Sequence, residues 1–220
     1  MRDVLLLPGA GRTKADWRLV RPMLEAAGFQ TLAIDLPELG TWSWQGALDA
    51  VAAAIDDHGL DQPIVVGHSL GGLVAALWAT LHPECPLAVN VDGHTNPTGP
   101  LEGMDAIEGV QIMRAFLTEQ STDPALAHLV AEFDALDLPA TYRATRCPLL
   151  VISSTGSDIR EMLPPEVAKV FAAYVRGFGL ELASIVRTTP LVSIADLPTG
   201  HDVHLEAPHE VARLILEHLP

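Results

Sequence analysis

Residues 67 to 72 read Gly-His-Ser-Leu-Gly-Gly, so a serine stands with a glycine two positions before it and another two positions after it. This G-x-S-x-G spacing belongs to a nucleophile held at the apex of a sharp strand-to-helix turn. An apex residue of that kind sits in strained backbone, and the flanking positions must lack side chains that would collide; Gly67 and Gly71 meet that need. The apolar run Pro63-Ile64-Val65-Val66 leads into the turn and the helix-forming run Leu73 to Leu81 leads out. The first amides of a helix have no intrahelical partner, which places the Leu70 N–H where an attacked carbonyl would develop negative charge. The chemistry suggested is attack by Ser69 on a carbonyl. It requires an oxyanion loop earlier in the chain, and an acid and a histidine later.

The elements that would have to position these groups are legible as alternating patterns. Short Val, Ile and Leu runs recur at Val4 to Leu7, Thr31 to Leu36, Ile64 to Val66, Leu87 to Val91, Leu149 to Ile152 and Leu191 to Ile194. Runs without polar alternation predict strands buried on both faces, as in a parallel sheet. Helical stripes lie between them, at Trp17, Val20, Leu24 and Ala27, and again at Trp44, Leu48, Val51, Ala52 and Ile55 before Gly59. The run Leu73 to Ala79 is apolar on every side, so the helix behind Ser69 is expected to be central. A final helix begins at Pro208 and offers Val211, Leu214 and Ile215. Strand and helix in alternation predict a doubly wound α/β sheet.

Two stretches break the rhythm. Residues 93–146 open with Gly93, Pro97, Gly99 and Pro100 and then give two helical patterns, one carrying Ile107, Val110, Arg114 and Leu117, the other starting at Asp123-Pro124. They are too short for a core of their own and read as a helical cap inserted into a core formed by 1–92 and 147–220. From Pro164 to Arg187 a helical stripe runs unusually long, with Gly177 and Gly179 as possible interruptions.

Composition limits the partners. The chain has 220 residues, 49% of them hydrophobic, which suits one well-buried domain. Its 28 acidic and 13 basic residues give a formal charge of −15, unsuited to nucleic acid or an anionic membrane surface. Cys85 and Cys147 have no C-x-x-C or zinc-like spacing and read as buried thiols, and the H-x-x-H of His201 and His204 lacks a third ligand pattern; neither a metal nor a cofactor is expected. The apolar run at the N-terminus is too short for a signal or a membrane span, so a cytoplasmic location is expected.

Taken together, L-L-L-P-G-A-G at the first strand, A-I-D-L-P, G-H-S-L-G-G and L-P-T-G-H-D-V-H-L-E-A-P near the end resemble the α/β-hydrolase superfamily. The first quarter is most similar to small esterase and hydroxynitrile-lyase-like members that begin at the third strand of the family sheet. The resemblance implies a mostly parallel α/β-hydrolase sheet, with the cap inserted after the strand ending near Asp92. It implies His201 as the base, and oxyanion donors from the amides of Ala10 and Leu70. For the acid it implies Asp158, in T-G-S-D-I, with Asp92, in N-V-D-G-H, as the alternative. Gly9, His68, His94, Met104, Ile107, Met113, Phe116 and Leu117 are the candidate substrate contacts. The expected reaction is cleavage of an ester, lactone or thioester of a small, largely apolar substrate through an acyl-enzyme on Ser69. Two alternatives keep the fold: a cofactor-independent lyase, or a small-molecule receptor.

Overall fold

A computed structural model describes residues 2–156 and 162–219. Six strands, β1 (Asp3–Leu7), β2 (Gln30–Ala33), β3 (Ile64–His68), β4 (Ala88–Val91), β5 (Leu149–Ser154) and β6 (Val192–Leu197), form one parallel sheet in the order β2-β1-β3-β4-β5-β6. Alternate residues of each strand feed two cores. Leu5, Leu7, Val65 and Val151 face one side with α2 (Trp44–His58), α3 (Leu70–Leu81) and α7 (Pro165–Thr188). Val4, Leu6, Val66 and Ile152 face the other, with α1 (Arg21–Ala26) and α9 (Pro208–Glu217). Burial on both faces explains why the strands read as unbroken apolar runs.

The chain leaves β1 for the β2 edge, then returns past β1 to β3 and proceeds outward to β6. Strand order therefore reverses between β1 and β3, and a crevice opens beyond the carboxyl ends of strands at such a switch point. The loop after β1 and the Ser69 turn after β3 both lie there.

Residues 93–146 contain three helices: α4 (Ala106–Gln120), α5 (Pro124–Ala135) and α6 (Leu138–Arg143). Asp105, Asp123 and Asp137 cap them, each carboxylate accepting a first-turn amide. The third is short and capped by a single Asp-Leu-Pro, and its apolar stripe is too brief to be read from periodicity. α5 packs against the turn at Leu39–Thr41, where Trp44 stacks on Phe133 and the His128 ring donates to the Trp42 carbonyl at 2.7 Å.

Two sequence expectations change at the backbone level. The second strand ends at Ala33, so Ile34 to Leu36 form a loop rather than strand. The long stripe is one unbroken helix, α7, and its Gly177 is a packing requirement: a Cβ there would overlap the Pro100 carbonyl oxygen where the chain crosses the helix. Among the described residues no helix is long and apolar enough to cross a membrane.

Candidate active site

Ser69 links β3 to α3 with φ 51° and ψ −117°, a strained conformation for a residue with a side chain. The glycines around it leave room for backbone alone. A Cβ on Gly67 would overlap the Gly71 carbonyl, and one on Gly71 would lie 2.6 Å from the Pro8 carbonyl oxygen. Gly71 N–H donates to that same oxygen at 3.1 Å, which fastens the start of α3 to the loop after β1. That loop runs beside the serine: a Cβ on Gly9 would stand 3.3 Å from Ser69 Cβ. Arg12 N–H closes the loop by donating to the Gly9 carbonyl at 3.1 Å, with Gly11 at φ 65°. Ala10 sits within this turn and Leu70 begins α3, so both expected amide donors belong to segments bordering Ser69.

His201 reaches the serine from the loop after β6. Its Nε2 is 3.1 Å from Ser69 Oγ, and its Nδ1 is 2.7 Å from Asp92 Oδ2. With Nδ1–H donating to the carboxylate, the Nε2 lone pair faces the serine hydroxyl. The ring is half exposed, with 56% of its side-chain surface open, while Asp92 is buried. Asp92 follows β4, the neighbour of β3, and itself has φ 54°. Of the two expected acids, the alternative, Asp92, is the one bonded to His201 Nδ1; Asp158 lies outside the described residues.

The Asp92 carboxylate is saturated. Oδ1 accepts from the Ser154 amide at 2.7 Å and from His94 Nε2 at 3.2 Å; Oδ2 accepts from Ser154 Oγ at 2.8 Å as well as from His201. Burial would raise its pKa, but the hydrogen bonds from His201, His94 and Ser154 outweigh it and hold the carboxyl well below the usual range. In return Asp92 pushes the His201 pKa up, against the opposing effect of burial. Behind the turn, buried Asn90 accepts from Gly93 N–H at 2.7 Å and donates to Tyr142 Oη at 2.7 Å, which fixes the backbone just past Asp92. Sequence reasoning missed Ser154 and Asn90, since neither belongs to a motif.

The candidate substrate contacts fall in three places. Gly9 borders Ser69, and His94 rests on Asp92 with its ring edge toward Phe178, 5.9 Å between centroids. His68 is only 1% exposed; it lies against the His201 ring, donating Nε2–H to the His201 carbonyl at 2.9 Å, and burial lowers its pKa. His204 is packed beneath it, between His68 and Trp17, with its pKa pushed down to about 3 by burial. Met113 is buried against Val167 and Val170 of α7, and Met104, Phe116 and Leu117 pack on the same cluster. Ile107 points into solvent at 71% exposure. Met113, Phe116 and Leu117 thus lie on the face of α4 that packs against α7. A cleft of about 380 Å³ lies between the loop at Thr95 to Pro100 and α6, and neither Ser69 nor His201 lines it.

Comparison with known proteins places this geometry. The model of the alpha/beta hydrolase family matches residues 4–214. The pimeloyl-[acyl-carrier protein] methyl ester esterase of Salmonella heidelberg (strain SL476) is 39% identical over 143 residues, which cover 64% of this chain and 54% of that protein. The chain spans about half the length of the curated relatives it matches. Among solved structures, the enol-lactonase from Burkholderia xenovorans LB400 superposes with a TM-score of 0.66 at 16% identity, covering 99% of this chain and 90% of that one. A protein described for recognition and ring-cleavage of the Pseudomonas quinolone signal, AqDC, superposes with a TM-score of 0.68 at 15% identity, covering 99% and 91%. At such identities the structural likeness speaks for the fold. With its family match running from the first strand into the last helix, the chain belongs to the alpha/beta hydrolase family.

Proposed function

We propose that this protein hydrolyses an ester-like bond of a small molecule through an acyl-enzyme on Ser69. The observation that carries the reading is one imidazole joining two groups: His201 meets Ser69 Oγ at 3.1 Å on one side and buried Asp92 at 2.7 Å on the other. In the attack, Ser69 Oγ bonds to the substrate carbonyl carbon while its proton moves to His201 Nε2. Asp92 holds the ring in the required tautomer and stabilises it when charged. The amides of Ala10 and Leu70 receive the oxyanion. The carbonyl then re-forms, the alcohol departs with the proton from Nε2, and water repeats the sequence to release the acid.

The methyl ester named for the Salmonella relative favours a carboxylic ester over a thioester or lactone as the first class to test. Residues 93–146 act in this reading as a helical cap, anchored through α4 on α7 and through α5 on the Trp42 and Trp44 turn. The test pairs hydrolysis of short p-nitrophenyl esters with labelling by a fluorophosphonate. Hydrolysis lost in step with modification of Ser69, and absent in Ser69→Ala, is the expected result. Undiminished turnover by Ser69→Ala would sink the acyl-enzyme and leave a reaction in which His201 works without it.

A further inference from the structure

Two loops must keep their distance for the proposed chemistry to run: Pro8 to Gly11, which carries the Ala10 amide, and Gly200 to Asp202, which carries His201. They come from β1 and β6, which four other connections separate along the chain. Their backbones are held locally. Arg12 N–H donates to the Gly9 carbonyl, and Gly200 N–H donates to Glu206 Oε2 at 2.8 Å. One side-chain contact joins the two loops directly. Arg12 Nη2 lies 2.6 Å from Asp202 Oδ1 and 2.7 Å from Asp202 Oδ2, while its Nη1 reaches Asp16 at 3.5 Å.

We infer that Arg12 and Asp202 form a positioning clamp, which fixes the oxyanion loop relative to the catalytic base and keeps the charge beside His201 balanced. The inference rests on the reading of Ser69, His201 and Asp92 as the reacting groups. Both clamp residues are immediate extensions of the functional segments: Arg12 hydrogen-bonds across the turn containing Ala10, and Asp202 follows His201 in the chain. A guanidinium suits this position because it can serve Asp202 and Asp16 at once from a planar fork. The two side chains are more than a third exposed, so the pair contributes little to global stability. Its effect is local geometry, where a displacement of about 1 Å is enough to lower a rate by as much as a hundredfold.

Charge gives the second consequence. His201 is faced by Ser69 from the elbow, Asp92 from β4, His68 from β3, Arg12 from the loop after β1, and Asp202 and His204 from its own segment. His94 and Asp16 act one step removed, on Asp92 and Arg12. Asp202 favours the imidazolium and Arg12 disfavours it, so the two oppose each other while both are present. Removing either one exposes the other.

The experiment measures pH profiles of kcat and KM on p-nitrophenyl butyrate for the wild type, Arg12→Gln, Asp202→Asn, the double variant and Arg12→Lys. Each is titrated with a fluorophosphonate to count reactive Ser69, and its melting temperature is recorded. Arg12→Gln should lower kcat about tenfold with KM within about twofold, the pattern of a lost transition-state interaction. Its acid limb should move up by roughly half a pH unit at low salt, and that of Asp202→Asn down by a similar amount. The double variant should regain the wild-type midpoint while kcat stays low, and Arg12→Lys should restore the midpoint with partial rescue of kcat. Folded variants that keep the wild-type kcat, or whose acid limbs move in the same direction, overturn the clamp. Wild-type protein that turns over the ester without labelling at Ser69 instead overturns the triad reading beneath it.

Discussion

Replacing Asp92 by asparagine exchanges one oxygen for an NH2 group, and the surroundings dictate which one. Oδ1 faces the Ser154 backbone amide at 2.7 Å, a donor that cannot be reversed. An NH2 group there would set two donors against each other in a buried site, at about 1–3 kcal/mol. The side chain will therefore keep its oxygen toward Ser154 N–H and place NH2 at the Oδ2 position. The Ser154 hydroxyl can rotate to accept from it. His201 can accommodate it only by presenting an unprotonated Nδ1, which moves the ring proton to Nε2. That proton then points at Ser69 Oγ, 3.1 Å away, and the base is lost. From the effect of a wrong tautomer in a serine triad, kcat should fall about 10³- to 10⁴-fold, or about 4–5.5 kcal/mol of barrier. KM should change little. The assay is p-nitrophenyl butyrate hydrolysis between about pH 5 and pH 9, with Asp158→Asn as the companion variant, expected to stay within about threefold of wild type. A kcat for Asp92→Asn within tenfold of wild type, with Asp158→Asn collapsed, would show that Asp158 and not Asp92 holds the imidazole.

Because Asp92 raises the His201 pKa, and the base must be neutral to act, wild-type kcat/KM should rise with pH through a midpoint above the ordinary imidazole value of about 6.5; a midpoint below it contradicts the pairing. His204 is buried and neutral with its pKa near 3, so the unfolded chain binds the proton first as pH falls below about 6.5. Stability is fully present above that pH and declines toward about pH 3, and urea midpoints for His204→Leu should show a shallower decline over the same window. Ser69→Gly should abolish hydrolysis yet raise thermal stability by about 1 kcal/mol, since glycine tolerates the φ of 51° that strains serine. Gly177→Ala should destabilise the fold by about 1–3 kcal/mol in denaturant titrations, because its methyl group would overlap the Pro100 carbonyl.

The sequence carried the local parts of this site well. Gly67 and Gly71 declared the elbow because a tight turn has few chemical solutions, and the strands declared themselves because burial on both faces leaves only apolar runs. His201 was visible only through its family-like surroundings. The acid was less legible, because Asp92 and Asp158 both follow apolar strand-like runs, and the contact of Asp92 with His201 joins residues 109 positions apart. On α4, Met113 and Phe116 pack with residues of α7; an apolar helix face says that something covers it and leaves open what does. The Arg12–Asp202 contact bridges 190 positions and has no local signature at all.

Rapid mixing with p-nitrophenyl butyrate, followed by acid quenching and mass mapping, looks for the acyl group on Ser69 itself. Released p-nitrophenol should show a burst matching the enzyme concentration wherever deacylation is slower than acylation. Quenched protein should carry one butyryl group on the peptide containing Ser69, and His201→Ala should show neither the burst nor the adduct on that timescale. Full turnover of the ester by protein whose Ser69 peptide stays unmodified, at every quench time and after fluorophosphonate treatment, would contradict the account.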